Sequence, residues 1–246
     1  MASWAIYHQK GGVGKTAASV NLAYLAASNG YKTLLWDTDS QAASSFYFEQ
    51  QAHTKQQSKK LFLQDISLLD VAEETAFENL WLVAADKSAS EADVLAYEIK
   101  NFKRKLGQTL KLAAKEFDLV IIDCAPGLSY LHDAIFDAAD AIILPTIPTT
   151  LSIHALEQVQ AHFAAKGLPA EKMKCFFSMV DHRKNLHHET MQQYYKQKLF
   201  CKSYIPYLSD IEKMGIQRQP VTAYAPNSYA SQCYTDVWKE LKKQFL

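Results

Sequence analysis

Short, almost uninterrupted apolar runs alternate along this chain with longer amphipathic stretches. Residues 4–8 form the first run and end at a glycine-rich loop, which predicts a buried strand. Residues 16–28 (TAASVNLAYLAAS) are rich in Ala and Leu at helical spacing, and Asn29-Gly30 supplies a C-terminal cap. Residues 33–36 predict a second strand leading to Asp37-Thr38-Asp39, and residues 80–84 a third. Residues 49–60 are polar and rich in Gln and Lys, predicting an exposed loop or a fraying helix end. From residue 90 to 115, Val94, Leu95, Ile99, Phe102, Leu106 and Leu110 recur at helical spacing.

Residues 119–123 (LVIID) are a near-continuous apolar run, as expected of a parallel strand covered on both faces. Residues 141–145 and 174–180 repeat that pattern around a predicted helix near 152–166. The last third predicts a helix over 186–199, a short strand over 203–205, and closing helices near Asp210 and over 229–245. Strands alternating with helices define the α/β class, with a doubly wound, mostly parallel sheet flanked by helices. In such a fold the ligand sits at the carboxyl ends of the strands. With no internal repeat and no linker, residues 1–246 read as a single domain, a length that one α/β unit can reach.

Composition narrows the function. The 26 basic and 26 acidic residues cancel, so affinity for nucleic acid needs a local patch rather than net charge. Cys124, Cys175, Cys201 and Cys233 are scattered, without the close pairing that zinc or iron–sulfur sites require. No stretch approaches the roughly 20 apolar residues of a membrane span. The first residues lack a basic leader and cleavage site. These features predict a cytoplasmic protein.

The strongest chemical signal is the loop Lys10-Gly11-Gly12-Val13-Gly14-Lys15-Thr16, set between a predicted strand and a predicted helix. Glycines let backbone amides converge on a phosphate, and the following helix N-terminus adds partial positive charge. Gly11, Gly12, Val13, Gly14, Lys15, Thr16 and Ala17 are thus the candidate phosphate cradle for ATP. Lys15 reaches the terminal phosphates and Thr16 ligates Mg²⁺. A plain glycine turn would need neither Lys15-Thr16 nor Lys10. The usual first glycine of the pattern is replaced by Gln9, and the opening Lys10-Gly11-Gly12 marks the deviant Walker A subclass. Asp37, Asp39 and Asp123 all stand at predicted strand ends. Asp123 has the setting of a Walker B carboxylate at Mg²⁺, and Asp37 adds negative charge near the same metal. The bland alternative is that each caps a turn.

Residues 10–16, residues 37–41 and residues 118–127 (DLVIIDCAPG) resemble the deviant Walker A, switch I and Walker B regions of ParA/MinD-type ATPases. The resemblance continues through residues 177–181, Ile205-Pro206, residues 220–228 and the closing helix, and so covers nearly the whole chain. It is nearest to small partition ATPases. It implies an ATP-bound homodimer in which Lys10 reaches the partner copy's phosphates. It also implies that Asp39 positions the attacking water and that Met179 and Pro206 contact the base. Two positions depart from the family. Asp39-Ser40-Gln41-Ala42 stands where Asp-Pro-Gln-Gly is usual, and Tyr207 follows Ile205-Pro206 where Arg is common.

Members of this family differ in the surface that their ATP dimer binds. For nonspecific DNA, Lys196, Lys198 and Lys202 cluster after Tyr194-Tyr195, Arg218 lies further on, and Arg183-Lys184 with His187-His188 forms a second basic run. For membrane, residues 237–246 are amphipathic and basic, as in MinD-like members. Trp238, Leu241 and Phe245 nonetheless match a closing core helix, which disfavours a membrane role. The absence of a Cys pair argues against metal-cluster assembly. The expectation is a nucleoid-associated positioning ATPase stimulated by a ParB-like or cargo-adaptor protein. A nucleotide-gated binding module without ATPase output is the third reading. The early first strand also predicts no preceding helix-turn-helix.

Overall fold

The computed structural model describes residues 2–246. Seven strands form one sheet: β1 (Ala2–Ile6), β2 (Thr33–Asp37), β3 (Glu73–Glu74), β4 (Leu80–Val83), β5 (Leu119–Asp123), β6 (Ala141–Thr146) and β7 (Met173–Phe177). Their order is β3-β4-β2-β5-β1-β6-β7, parallel throughout except for the antiparallel edge strand β3. The central strands are buried along their whole length because both faces are covered. Successive side chains enter opposite layers. Ala5, Leu34, Val120, Ile122 and Ile142 enter one layer. Trp4, Ile6, Leu35, Ile121 and Ile143 enter the other.

Helices Phe102–Ala113, Tyr130–Ala138 and Thr150–Lys166 cover the first layer, through Leu106, Leu110, Phe136, Leu156 and Phe163. Helices Lys15–Ser28 and Tyr229–Phe245 cover the second, through Leu22, Ala26, Val237, Trp238 and Leu241. The Trp238 ring lies 5.5 Å from that of Trp4, and Leu241 is fully buried. Val237, Trp238 and Leu241 of the closing helix are therefore committed to the core. Among the described residues no helix is long and apolar enough to cross a membrane. Trp238→Ala is expected to cost about 3–5 kcal/mol, the range for emptying a large core site. A urea melt checks this; a midpoint close to wild type would contradict the packing role.

The strands expected over 4–8 and 174–180 are observed at Ala2–Ile6 and Met173–Phe177, and three other expected elements differ more. The helix expected over 90–115 is two, Ala92–Glu98 and Phe102–Ala113, broken where Asn101 takes a left-handed φ of 61°. The break lets Leu95 and Ala96 enter the same core as Phe102, Leu106 and Leu110, while Val94 is left exposed. The helix expected over 186–199 stops at Tyr194, because Leu199 and Phe200 are drawn alongside β7. There the Leu199 carbonyl accepts the Cys175 N–H at 2.8 Å, and the Phe200 ring stacks on Phe177 at 4.5 Å. No strand forms over 203–205; isolated bridges flank it instead, Cys175 with Phe200 and Val180 with Pro206. Within the polar stretch 49–60, Gln57 is fully buried, its amide donating to the Ala84 carbonyl at 3.0 Å.

Candidate nucleotide-binding site

The carboxyl ends of β1, β2, β5 and β6 bring the loop, the three aspartates and the turn after β6 to one edge of the sheet. Gly12 (φ 71°) and Gly14 (φ 90°) occupy left-handed backbone that an L side chain adopts only at a cost. A Cβ at Gly12 would meet nothing within 4 Å, so packing does not demand glycine there; backbone conformation and an unobstructed approach do. The loop is tied at both sides. Ser178 Oγ donates to the Val13 carbonyl at 2.7 Å, and the Gln9 carbonyl accepts the Gly127 N–H at 3.0 Å. Helix Lys15–Ser28 starts at Gly14 with no side-chain cap, leaving its first amides to an anion.

Lys15 is buried, and its Nζ donates to the Lys10 carbonyl at 3.4 Å. Burial pushes its ammonium below the ordinary value, while the charge of Asp123 pulls it back up. Lys10 is only half-buried, at the lip of the loop. Asp37 and Asp123 stand opposite each other in register at the ends of β2 and β5, and both are buried. Burial raises both carboxyls above the usual range, and Asp123 raises Asp37 further. Hydroxyls of Ser44 (2.7 Å) and Ser19 (2.9 Å) donate to Asp123, and Thr16 adds a third such donor that draws its pKa back down. Two buried like charges with one buried lysine beside them suit a divalent cation, whose charge offsets their repulsion.

Asp37 also organises the loop that follows it. Its carboxylate accepts from the Asp39 N–H (3.1 Å), the Ser45 N–H (3.0 Å) and the Ser45 hydroxyl (2.8 Å). The capping reading of this residue is thus realised alongside its place next to Asp123. Asp39 is half-exposed and accepts the Gln41 N–H at 3.0 Å. Ala42, at the usual glycine position, takes φ 51°, a strained conformation for alanine. On the other side of the loop, Gly14, Ala17, Met179 and Pro206 line one apolar pocket, together with Tyr207. Met179 itself has φ 52°.

The four basic residues singled out for DNA do not form one patch. Lys196, Lys198 and Lys202 line a groove of about 730 Å³ with Lys174, Glu171 and Glu240, near the amino end of β7. Arg218 lies instead over the Phe46 ring at 3.4 Å and donates to the Phe46 carbonyl at 3.2 Å, beside the switch loop. The second basic run is locally neutralised: Arg183 makes two 2.9 Å bonds to Asp181, and His187 is buried. Arg183 holds the Asp181 carboxyl well below the usual range. Cys124 is a buried small residue whose thiol is pushed up by burial.

Sequence reasoning missed Ser19, Ser44 and Ser45, although a serine pair directly after an acidic loop was a readable signal.

Fold and site together define a P-loop nucleotide-binding protein. Residues 1–166 match the family model of the AAA domain. The chain is 30% identical over 251 residues to the chromosome partitioning protein ParA of Myxococcus xanthus, covering 97% of this chain and 87% of that one. It is 28% identical over 245 residues to the sporulation initiation inhibitor protein Soj of Bacillus subtilis, covering 96% of each. The chain belongs to the ParA-like family of P-loop ATPases. Among solved structures, a plasmid partition protein of Borrelia burgdorferi bound to AMPPNP superposes with TM-score 0.85 at 18% identity, covering 98% of this chain and 99% of that one. The cell division ATPase MinD of Pyrococcus furiosus superposes with TM-score 0.80 at 21% identity, covering 98% of each. These two likenesses establish the fold.

Proposed function

We propose that this protein is an ATPase that dimerises on ATP, binds DNA of any sequence and segregates or positions a cargo. Hydrolysis is slow until a ParB-like or cargo-adaptor protein stimulates it, and the protein is associated with the nucleoid. The observation that carries this reading is the loop itself: a buried Lys15 beside paired acids, with Lys10 half-exposed at its lip. Similarity across nearly the full length to a chromosome partitioning protein supports the cargo role.

The residues divide the chemistry as follows. Residues 11–17 cradle the phosphates, and Met179 and Pro206 flank the base. Thr16 and Asp123, with Asp37 beside them, would hold Mg²⁺, which when bound neutralises phosphate charge. Asp39 orients the attacking water. Lys10 of one copy stabilises charge on the phosphates of the other, as an arginine finger does. Completing the site in trans couples hydrolysis to dimerisation.

Nonspecific DNA follows the lysine groove, where Lys196, Lys198 and Lys202 are exposed to phosphate. Binding to a random-sequence duplex is expected with ATP and absent with ADP or no nucleotide. The double change Lys196→Ala, Lys198→Ala should weaken it roughly 10-fold and reduce the slope of log affinity against log salt by about 2. Fluorescence anisotropy at several salt concentrations checks this. Equal binding in all nucleotide states would refute the gating, and an unchanged salt slope would remove the groove.

A further inference from the structure

The backbone of Lys10 is held from two sides. Its carbonyl accepts from Lys15 Nζ at 3.4 Å, and its N–H donates to His8 Nδ1 at 3.0 Å. A bound triphosphate treats these holds differently. It competes for the Lys15 ammonium, because a charge-assisted bond to an anion is stronger than a long bond to a neutral carbonyl. The imidazole has no such competitor, since His8 is fully buried.

The protonation of the ring follows from its contacts. Nδ1 accepts an N–H and so carries no proton, which places the proton of a neutral ring on Nε2. Nε2 faces Ser152 Oγ at 3.3 Å, and that oxygen also accepts the Ile147 N–H at 3.1 Å. Lys10, His8 and Ser152 thus form a chain from the phosphate loop to the turn after β6 and the start of helix Thr150–Lys166. Burial and the Lys15 charge lower the imidazole to about 4, so Nδ1 remains an acceptor at neutral pH.

We propose that His8 is the positioning residue of Lys10: in the nucleotide-loaded protein it sets the direction from which the Lys10 side chain leaves the loop. The inference rests on the reading that Lys10 acts on the phosphates of a second copy. His8 touches no phosphate itself. Its loss should therefore lower turnover and spare ATP affinity, which the amides of residues 11–17 and Lys15 provide.

The test measures ATP Kd and the kcat of ATP hydrolysis, with random-sequence DNA present throughout, for wild type, Lys10→Ala, His8→Leu and His8→Asn, with thermal melts of each. His8→Leu fills space without an acceptor and should lower kcat about 10-fold with Kd within about 3-fold, the pattern of lost alignment. His8→Asn carries an amide oxygen at a similar distance from the backbone and should recover kcat to within about 3-fold of wild type. If His8→Leu keeps wild-type kcat while Lys10→Ala is impaired, His8 has no positioning role and the reading of Lys10 stands. If Lys10→Ala itself turns over normally, that reading fails first. Equal kcat losses in His8→Leu and His8→Asn, or a Kd that rises as much as kcat falls, overturn the proposal in favour of general loop damage. Should His8→Leu not fold, Ser152→Ala leaves the imidazole in place and removes the partner of Nε2, together with the acceptor of the Ile147 N–H. It should lower kcat about 3-fold at constant Kd, and no change there overturns the proposal.

Discussion

Lys15→Ala is expected to weaken ATP binding by roughly 100-fold or more while the protein stays folded, since truncating one partner of a buried, hydrogen-bonded charge pair between binding partners costs about 2–5 kcal/mol of affinity. Lys15 is an ammonium kept in a buried position, where burial already works against its charge. The aspartates alone compensate it only in part, because each is itself disfavoured as an anion by burial. A polyphosphate supplies the missing negative charge, so most of the electrostatic gain on binding passes through this one side chain. Removing it leaves the glycine amides and the helix N-terminus, which orient a phosphate and hold it weakly. Titration with a fluorescent ATP analogue, beside a circular dichroism melt, checks the result. A Kd within about 3-fold of wild type would mean that the nucleotide does not engage Lys15.

The second large effect separates binding from turnover. Lys10→Ala should bind ATP within about 3-fold of wild type, lose the ATP-dependent dimer, and lower stimulated kcat by about 10³, the lower end for a charge supplied in trans. The physical ground is placement. Lys15 is buried within its own loop, whereas Lys10 is half-exposed at the lip with its backbone held by His8 and Lys15. A lysine so placed adds little to phosphates already cradled in the same chain, and much to those of a copy facing it. Light scattering with Mg-ATP and a phosphate-release assay report the two losses separately. A wild-type hydrolysis rate in Lys10→Ala would refute the shared site. If dimerisation survives while kcat falls, Lys10 acts on the chemistry alone.

The apolar runs were legible as strands because burial on both faces removes polar positions altogether. Accordingly β2, β5 and β6 fall within about a residue of their expected bounds. The phosphate loop was equally legible, since glycine, lysine and threonine at fixed offsets have few other uses. Less legible were the places where one element ends because another needs the chain. The stretch 90–115 has a single helical stripe, yet it breaks at Asn101 so that both halves reach the core around helix Tyr130–Ala138. The four cationic residues share a charge and no more. Arg218 packs on Phe46 beside the switch loop, and the three lysines gather on a groove with Glu240.

Periodicity, glycine placement and strand-end acids, all local in the chain, thus determined the α/β class, the nucleotide loop and the family. Tertiary structure alone decided that Asp37 and Asp123 lie side by side in register, and that Ser19 and Ser44 hold Asp123 from different elements. It decided too that His8 touches the amide of Lys10 and the hydroxyl of Ser152, 144 residues away. Local signals survive in sequence because neighbours along the chain remain neighbours in space. Partnerships between distant residues depend on strand order and register, which hydrophobic periodicity leaves open.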